Sequence, residues 1–317
     1  MDKYPYEFFK YEVFQGEGIA VVTLNNPDQK NVAPFWCEGQ LNEIIDRWER
    51  DDNVKVVVIR GAGDNFSAGH DFGGYLDFYG VKGKAADSGK KPRAVNRHSL
   101  LNQRFQMNSK RRLFNSLKPT IAEIRGLCIE WANVFQACCD ISIAADDAQI
   151  GSLGQTAGIA GITQLRLFVF LIGYKRAREM AITGRTWTGR DASLIGLINR
   201  SVPPERLSEE VWEEARRIAL LPVDGIVTGK AYSEMVLESM GLDATFSESY
   251  NAYVAGLHIS FEEEEFSFIR AVRKSGTSSA IAQRKARYDG VGGFGAQANK
   301  PIVGDGAIAE TPKRRGK

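Results

Sequence analysis

Histidine is nearly missing from this chain: three in 317 residues, at positions 70, 98 and 258. A metal centre built on imidazoles is thereby all but excluded, and no metal is expected. Cysteine is scarce too. Cys37, Cys128, Cys138 and Cys139 have neither metal-knuckle spacing nor the density of a secreted disulfide scaffold, so they read as reduced thiols in a cytoplasmic protein. No run of about 18 uninterrupted apolar residues occurs, so no spanning helix is expected. The polar opening Met1-Asp2-Lys3-Tyr4-Pro5-Tyr6-Glu7 does not look like a secretory leader. Charge of one sign is lacking as well. Lys+Arg 41 against Asp+Glu 39 leaves a formal +2, too little to argue for nucleic acid or an anionic membrane as partner. What remains is ordinary for a globular chain, 43% hydrophobic and 25% charged, long enough for one large domain or a core with an appendage.

The first half alternates strand-like and helix-like segments. Gly18-Ile19-Ala20-Val21-Val22-Thr23-Leu24 is apolar and β-branched, and Asn25-Asn26-Pro27-Asp28 stops it as a turn. Cys37, Leu41, Ile44, Ile45 and Trp48 then recur at helical spacing, with Pro34 where a first-turn proline is tolerated. Asp51-Asp52-Asn53 breaks that helix before a second strand over 54–60. Two more strands are predicted over 120–124 and 141–145, with a helix near 131–139 between them. Strand, helix, strand in this order predicts an α/β fold with parallel pairing and right-handed crossovers.

Residues 80–97 carry Lys82, Lys84, Lys90, Lys91 and Arg93 among small residues without apolar period, and read as a mobile surface loop. From Pro204 onward the pattern is helical: 207–221, 224–240 and a long amphipathic stretch near 244–274. Phe261 and Phe266 flank four glutamates that continue this helix as an exposed face or helix start, since consecutive residues cannot converge on one ion. The glycine-rich, basic-ended stretch 286–317 is expected to be extended or disordered unless a partner subunit holds it. The predicted organisation is a core over 1–203, a helical region over 204–285 and that tail.

Three segments belong together. They are Asn26-Pro27-Asp28-Gln29-Lys30-Asn31-Val32-Ala33, Phe66-Ser67-Ala68-Gly69-His70-Asp71-Phe72, and the stretch from Lys118-Pro119-Thr120 through Cys138-Cys139-Asp140 to Gln149-Ile150-Gly151. In these motifs the chain resembles the crotonase (enoyl-CoA hydratase/isomerase) superfamily over about residues 10–205. The likeness continues in Ala177-Arg178-Glu179, Thr183-Gly184-Arg185 and Gly196-Leu197-Ile198-Asn199. The resemblance implies a spiral of ββα units with a helical C-terminal region that packs on its own or a neighbouring subunit, in trimers often paired into hexamers. It implies an acyl-CoA substrate, coenzyme A being part of the substrate and no separate cofactor needed.

By the same resemblance, two backbone N–H groups stabilise the charge that develops on the thioester oxygen. One falls on His70 and the other on Trp131. Lys30, Asn31, Val32 and Ala33 correspond to the turn that contacts the nucleotide end of CoA, with Ala68 and Gly69 beside it. The chain departs from the family in two ways. Glu130-Trp131-Ala132 replaces a glycine run, so a tryptophan is expected to narrow the acyl pocket. The two hydratase glutamates fall on Val134 and Gly154, which cannot transfer a proton. Standard hydration is therefore disfavoured against an isomerase, C–C lyase or hydrolase.

For the missing carboxylates, Glu130 is the best-placed substitute: either protonated with a raised pKa or pointing elsewhere as a surface or capping residue. The His70 imidazole titrates near neutrality when unperturbed and is either a working group or merely packed. Asp71 is a catalytic candidate or the cap of a short helix. Asp140 reads as structural. Glu123, mid-strand, is paired, functional or exposed. Tyr75, Tyr79 and His98 are candidates for the acyl pocket, and the lysines of 82–91 for phosphates or mere solvation. Two other readings stay open: a CoA-independent β-diketone hydrolase using His70 or His98, and a catalytically silent binding subunit.

Overall fold

The computed structural model describes residues 7–71, 96–157, 163–256 and 261–288. Its strands are β1 (Phe9–Phe14), β2 (Ile19–Leu24), β3 (Val56–Gly61), β4 (Thr120–Ile124), β5 (Leu127–Ile129), β6 (Ile141–Ala145), β7 (Gln149–Gly151), β8 (Thr186–Thr188) and β9 (Arg200–Val202). The α-helices are α1 (Cys37–Arg50), α2 (Asn96–Phe114), α3 (Trp131–Ala137), α4 (Leu165–Thr183), α5 (Gly189–Leu194), α6 (Leu207–Ala219), α7 (Val223–Ser239), α8 (Ala244–Gly256), α9 (Phe268–Ser275) and α10 (Thr277–Tyr288).

One sheet runs β1-β2-β3-β4-β6-β9; its first pair is antiparallel and the rest are parallel. Parallel strands are covered on both faces, which explains why β2 and β3 are almost continuous apolar runs. Ile19, Ala20, Val21, Val22 and Val56, Val57, Val58, Ile59 are all buried. On one face lies α6, whose Leu207, Val211, Ala215 and Ile218 meet β2, β3, β4 and β6. A second, smaller sheet, β5-β7-β8, stands beside the first. Its strands are three residues each, too short to carry a periodicity. The four expected strands are all present.

Several expectations are corrected. Asn96 and Arg97 open α2 instead of closing a loop, and residues 80–95 lie outside the described residues. The stretch 244–274 is not one helix: α8 ends at Gly256 and α9 begins at Phe268. Residues 261–267 form a bend, not a helix. Its carbonyls are gathered by the Arg270 guanidinium, which donates to Glu263 O at 3.1 Å and Glu262 O at 3.2 Å. Ser267 then caps α9 by accepting from Arg270 N at 3.3 Å, so the helix starts there. The helical region runs three residues past 285, to Tyr288, and the rest of the tail lies outside the described residues. The helix α4 was not predicted. Its apolar residues show no clean stripe, and Gly173, at φ 75 and ψ 162, kinks it.

Candidate active site

The site is built where the turn after β2, the segment 66–71 and the start of α3 are laced together. Lys30 and Asn31 both adopt left-handed backbone at φ 54. The Asn31 side chain is fully buried; it accepts from Asn26 N at 2.9 Å and donates to Ala62 O at 2.9 Å and Asn65 O at 2.7 Å. It is thus an internal strut of the turn, and its amide has no freedom to reach a ligand. Lys30 is exposed, Ala33 buried and Val32 half-buried. Ala68 N donates to Lys30 O at 2.9 Å, Ala33 N to Gly69 O at 2.7 Å and Asp71 N to Ala33 O at 2.9 Å.

This ladder fixes the direction of the His70 amide. Gly69 O and Asp71 N both face Ala33, so the N–H of the residue between them is turned to the opposite edge. That edge is the one on which Ser67 already pairs with β5, through Ser67 N to Leu127 O at 2.8 Å and Ile129 N to Ser67 O at 3.1 Å. Gly69 itself, at φ +99, is strained for any other residue and tightly placed: a Cβ would stand 3.1 Å from Ile129 O and 3.3 Å from the Glu130 Cβ. One residue after β5, past Glu130, comes Trp131, the first residue of α3. Its N–H has no acceptor within the helix, as for every first-turn residue.

Glu130, at the turn into α3, sits at φ 56 and ψ −111, backbone that a non-glycine residue holds only when its surroundings enforce it. Its carboxylate supplies that restraint, accepting from Ser152 Oγ at 2.8 Å and from Leu153 N. Burial raises its pKa, while these donors, Gly154 N and the more distant Arg284 pull it back only in part. The Trp131 indole is packed into the interior beside this turn. It is buried at 3% exposure, stacked on Phe135 at 4.7 Å, with its Nε1 donating to Glu38 Oε1 at 2.9 Å.

A buried ion pair underlies this arrangement. Lys110 Nζ of α2 lies 2.6 Å from Glu38 Oε1 of α1, both side chains being almost fully buried. The ammonium is also 5.4 Å from the Trp131 ring centroid. The His70 imidazole stacks on Phe35 at 5.6 Å and lies 6.0 Å from the indole. Burial, seconded by the Lys110 charge, pushes its pKa down to about 3, with the nearby Ala33 backbone opposing the shift. That corrects the expectation of an imidazole titrating near neutrality: the ring is neutral over the physiological range and a poor base.

The sequence profile described as Enoyl-CoA hydratase/isomerase matches residues 15–253. The chain belongs to this family. An enoyl-CoA hydratase/isomerase structure from Xanthobacter autotrophicus Py2 superposes with a TM-score of 0.77 at 29% identity, over 89% of this chain and 98% of that one. An enoyl-CoA hydratase structure from Mycobacterium smegmatis, at 23% identity, shares the fold with a TM-score of 0.75, over 88% of this chain and 94% of that one. A hydroxycinnamoyl-CoA hydratase-lyase of Pseudomonas fluorescens is 28% identical over 207 residues, 64% of this chain and 70% of that protein.

Among the other expected residues of this crotonase-superfamily member, Val134 is buried in α3 and Gly154 opens a 3-10 turn over Gly154–Ala157. Asp71 is half-buried beside His70; the helix it was expected to cap lies outside the described residues, as do Tyr75, Tyr79 and the lysines of 82–91. His98 is exposed on α2. Asp140 is structural, accepting from Thr120 N at 2.8 Å and Thr120 Oγ1 at 2.9 Å. Glu123 is paired, accepting from Ser208 Oγ at 2.7 Å with Arg125 at 3.6 Å. Glu38, Lys110 and Phe35 were missed. The signal for Glu38 was in the sequence: it lies three residues before Leu41, on the apolar stripe of α1, where a charge must find a buried partner.

Proposed function

We propose that this protein transforms an acyl-CoA thioester through an enolate, whose oxygen rests between the backbone N–H groups of His70 and Trp131. The observation that carries the reading is the ladder of residues 67–71 between the Lys30–Ala33 turn and β5. It leaves the His70 amide on the edge away from Ala33. Helix α3 begins at Trp131, whose first-turn amide has no acceptor within the helix, which supports their pairing as the two donors. Loss of one such donor costs on the order of 3 kcal/mol in the transition state.

Glu130 is the proposed proton-transfer group. Its carboxyl reaches the Ser152–Gly154 segment, where the family resemblance roots the second glutamate that this chain lacks at Gly154. A raised pKa suits a carboxyl that must exchange a proton near neutral pH. One carboxyl in place of two fits an isomerase, a C–C lyase or a hydrolase better than paired-carboxylate hydration. Lys30, with Val32, Ala33, Ala68 and Gly69 around it, is the proposed seat of the CoA arm, by backbone and small side chains more than by Asn31. Assembly with further copies fits α7, which buries no residue and exposes Tyr232, Met235 and Val236.

Acetoacetyl-CoA is the test, because its bound enolate has its own ultraviolet band. The band should appear with the native chain and vanish in Gly69→Ala, whose Cβ would press on Ile129 O, while circular dichroism stays native. CoA bound without enolate would favour a silent binding subunit; no CoA binding would favour the β-diketone route. Rapid hydration of crotonyl-CoA would contradict the assignment of Glu130 as the single carboxyl.

A further inference from the structure

We infer that the acyl group taken by this site carries an uncharged hydroxyl towards its distal end, seated along the buried face of α2 instead of in an apolar tunnel. The inference rests on the acyl-CoA reading above. Ser99, Gln103, Gln106 and Lys110 recur at i, i+4, i+7 and i+11, hence on one face of α2, and all four are buried. A buried helix stripe is ordinarily aliphatic. This one is polar, and Ser99 Oγ and Gln106 Nε2 have no hydrogen-bond partner.

Two more buried atoms without partners, Glu38 Oε2 and His70 Nδ1, stand at the other end of the stripe. Lys110 links them to it. Its ammonium pairs with Glu38 at 2.6 Å, faces the Trp131 ring at 5.4 Å, and its charge contributes to the low basicity of His70. Folded proteins leave few buried polar atoms unpaired, because each is costly. Two of them line the buried face of α2 and two stand beside its Lys110 end, next to the proposed reaction centre; together they point to a polar group that arrives with the substrate.

The chemistry of the set selects that group. Gln106 Nε2 only donates and needs an acceptor oxygen. Glu38 Oε2, on a carboxylate paired with Lys110, only accepts and needs a donor. A hydroxyl offers both. An alkyl chain offers neither, and a carboxylate would meet the unpaired oxygen of Glu38. Ser99 and Gln106 are separated by about 10 Å of helix rise, room for acyl groups of several lengths.

Calorimetric titration of the full chain with saturated thioesters tests this. At four, six and eight carbons, the unsubstituted acyl-CoA, its ω-hydroxy counterpart and its ω-carboxy counterpart are compared, with CoA alone as reference. The ω-hydroxyacyl-CoA of at least one length should bind about five- to tenfold tighter than the unsubstituted chain, and Gln106→Leu should reverse that order. If the Leu variant does not fold, the order in the native chain decides alone. Equal or tighter binding of the unsubstituted chains at every length, or tightest binding of the carboxylated ones, overturns the inference and leaves the acyl-CoA reading standing. Failure of every thioester and of CoA to bind takes down both.

Discussion

Helices α1 and α2 pack against each other, yet they bury opposite kinds of surface. The buried face of α1 is mainly apolar, with Cys37, Leu41, Ile44, Ile45 and Trp48 against Glu38 and Gln40, while that of α2 is mainly polar, with Ser99, Gln103, Gln106, Ser109 and Lys110 against Met107 and Leu113. The first closes a core by removing apolar area from water. The second gains little from burial, and Lys110 stays inside only because Glu38 meets it. The contrast can be tested by breaking each side in turn.

The largest loss should come from Lys110→Met, which leaves the buried Glu38 carboxylate without its counter-ion and with only the Trp131 Nε1 donor; about 3–5 kcal/mol is expected in urea unfolding. Adding Glu38→Gln to it should restore much of that, since the charge left behind is then gone. On the apolar side, Leu41→Ala should cost about 2–5 kcal/mol by cavity formation, with no companion change able to rescue it. Next comes Trp131→Phe, which keeps a ring on Phe135 but deletes the Nε1 donor to Glu38. Its cost should be about 1–2 kcal/mol in stability.

Glu130→Gln should lower turnover at least about tenfold with little change in KM, because the amide oxygen can still accept from Leu153 N and its NH2 can donate to Ser152 Oγ, but it cannot exchange a proton. Unchanged turnover would leave Glu130 as an anchor for the 152–154 segment alone. His70 gives a pH signature. Its folded pKa of about 3 lies below the unfolded value, so the unfolded chain takes up the proton first. The stability this contributes is present above pH ~6.5 and drains away as the pH falls towards 3. His70→Phe should flatten that part of the pH–stability curve. The smallest effect belongs to the surface: Glu248→Gln, breaking the half-exposed pair with Arg166, should change stability by less than about 1 kcal/mol.

Much of this molecule was legible in its residues. The apolar runs of β2, β3, β4 and β6 and the stripe of α1 declared themselves by period, because burial on both faces or on one is written into successive side chains. The loop motifs around Asn31, Gly69 and Gly126 carried the family likeness. What escaped was whatever lacks a period: three-residue strands such as β5, the kinked α4, and α2 with its polar inner face. The helix expected through Glu262–Glu265 failed for a related reason, since composition suited a helix while Arg270 and Ser267 fixed a bend and a fresh cap.

By itself the sequence determined the parallel sheet, its covering helices and the positions at which catalytic amides and carboxylates were to be sought. Only the tertiary structure decided how those positions are used. Glu38 meets Lys110 across 72 residues and Trp131 across 93. Glu130 spends its carboxyl on a segment 22 and 23 residues away. Side-chain period reports which face is buried, but pairing between distant segments depends on how the layers pack, and no local pattern encodes that.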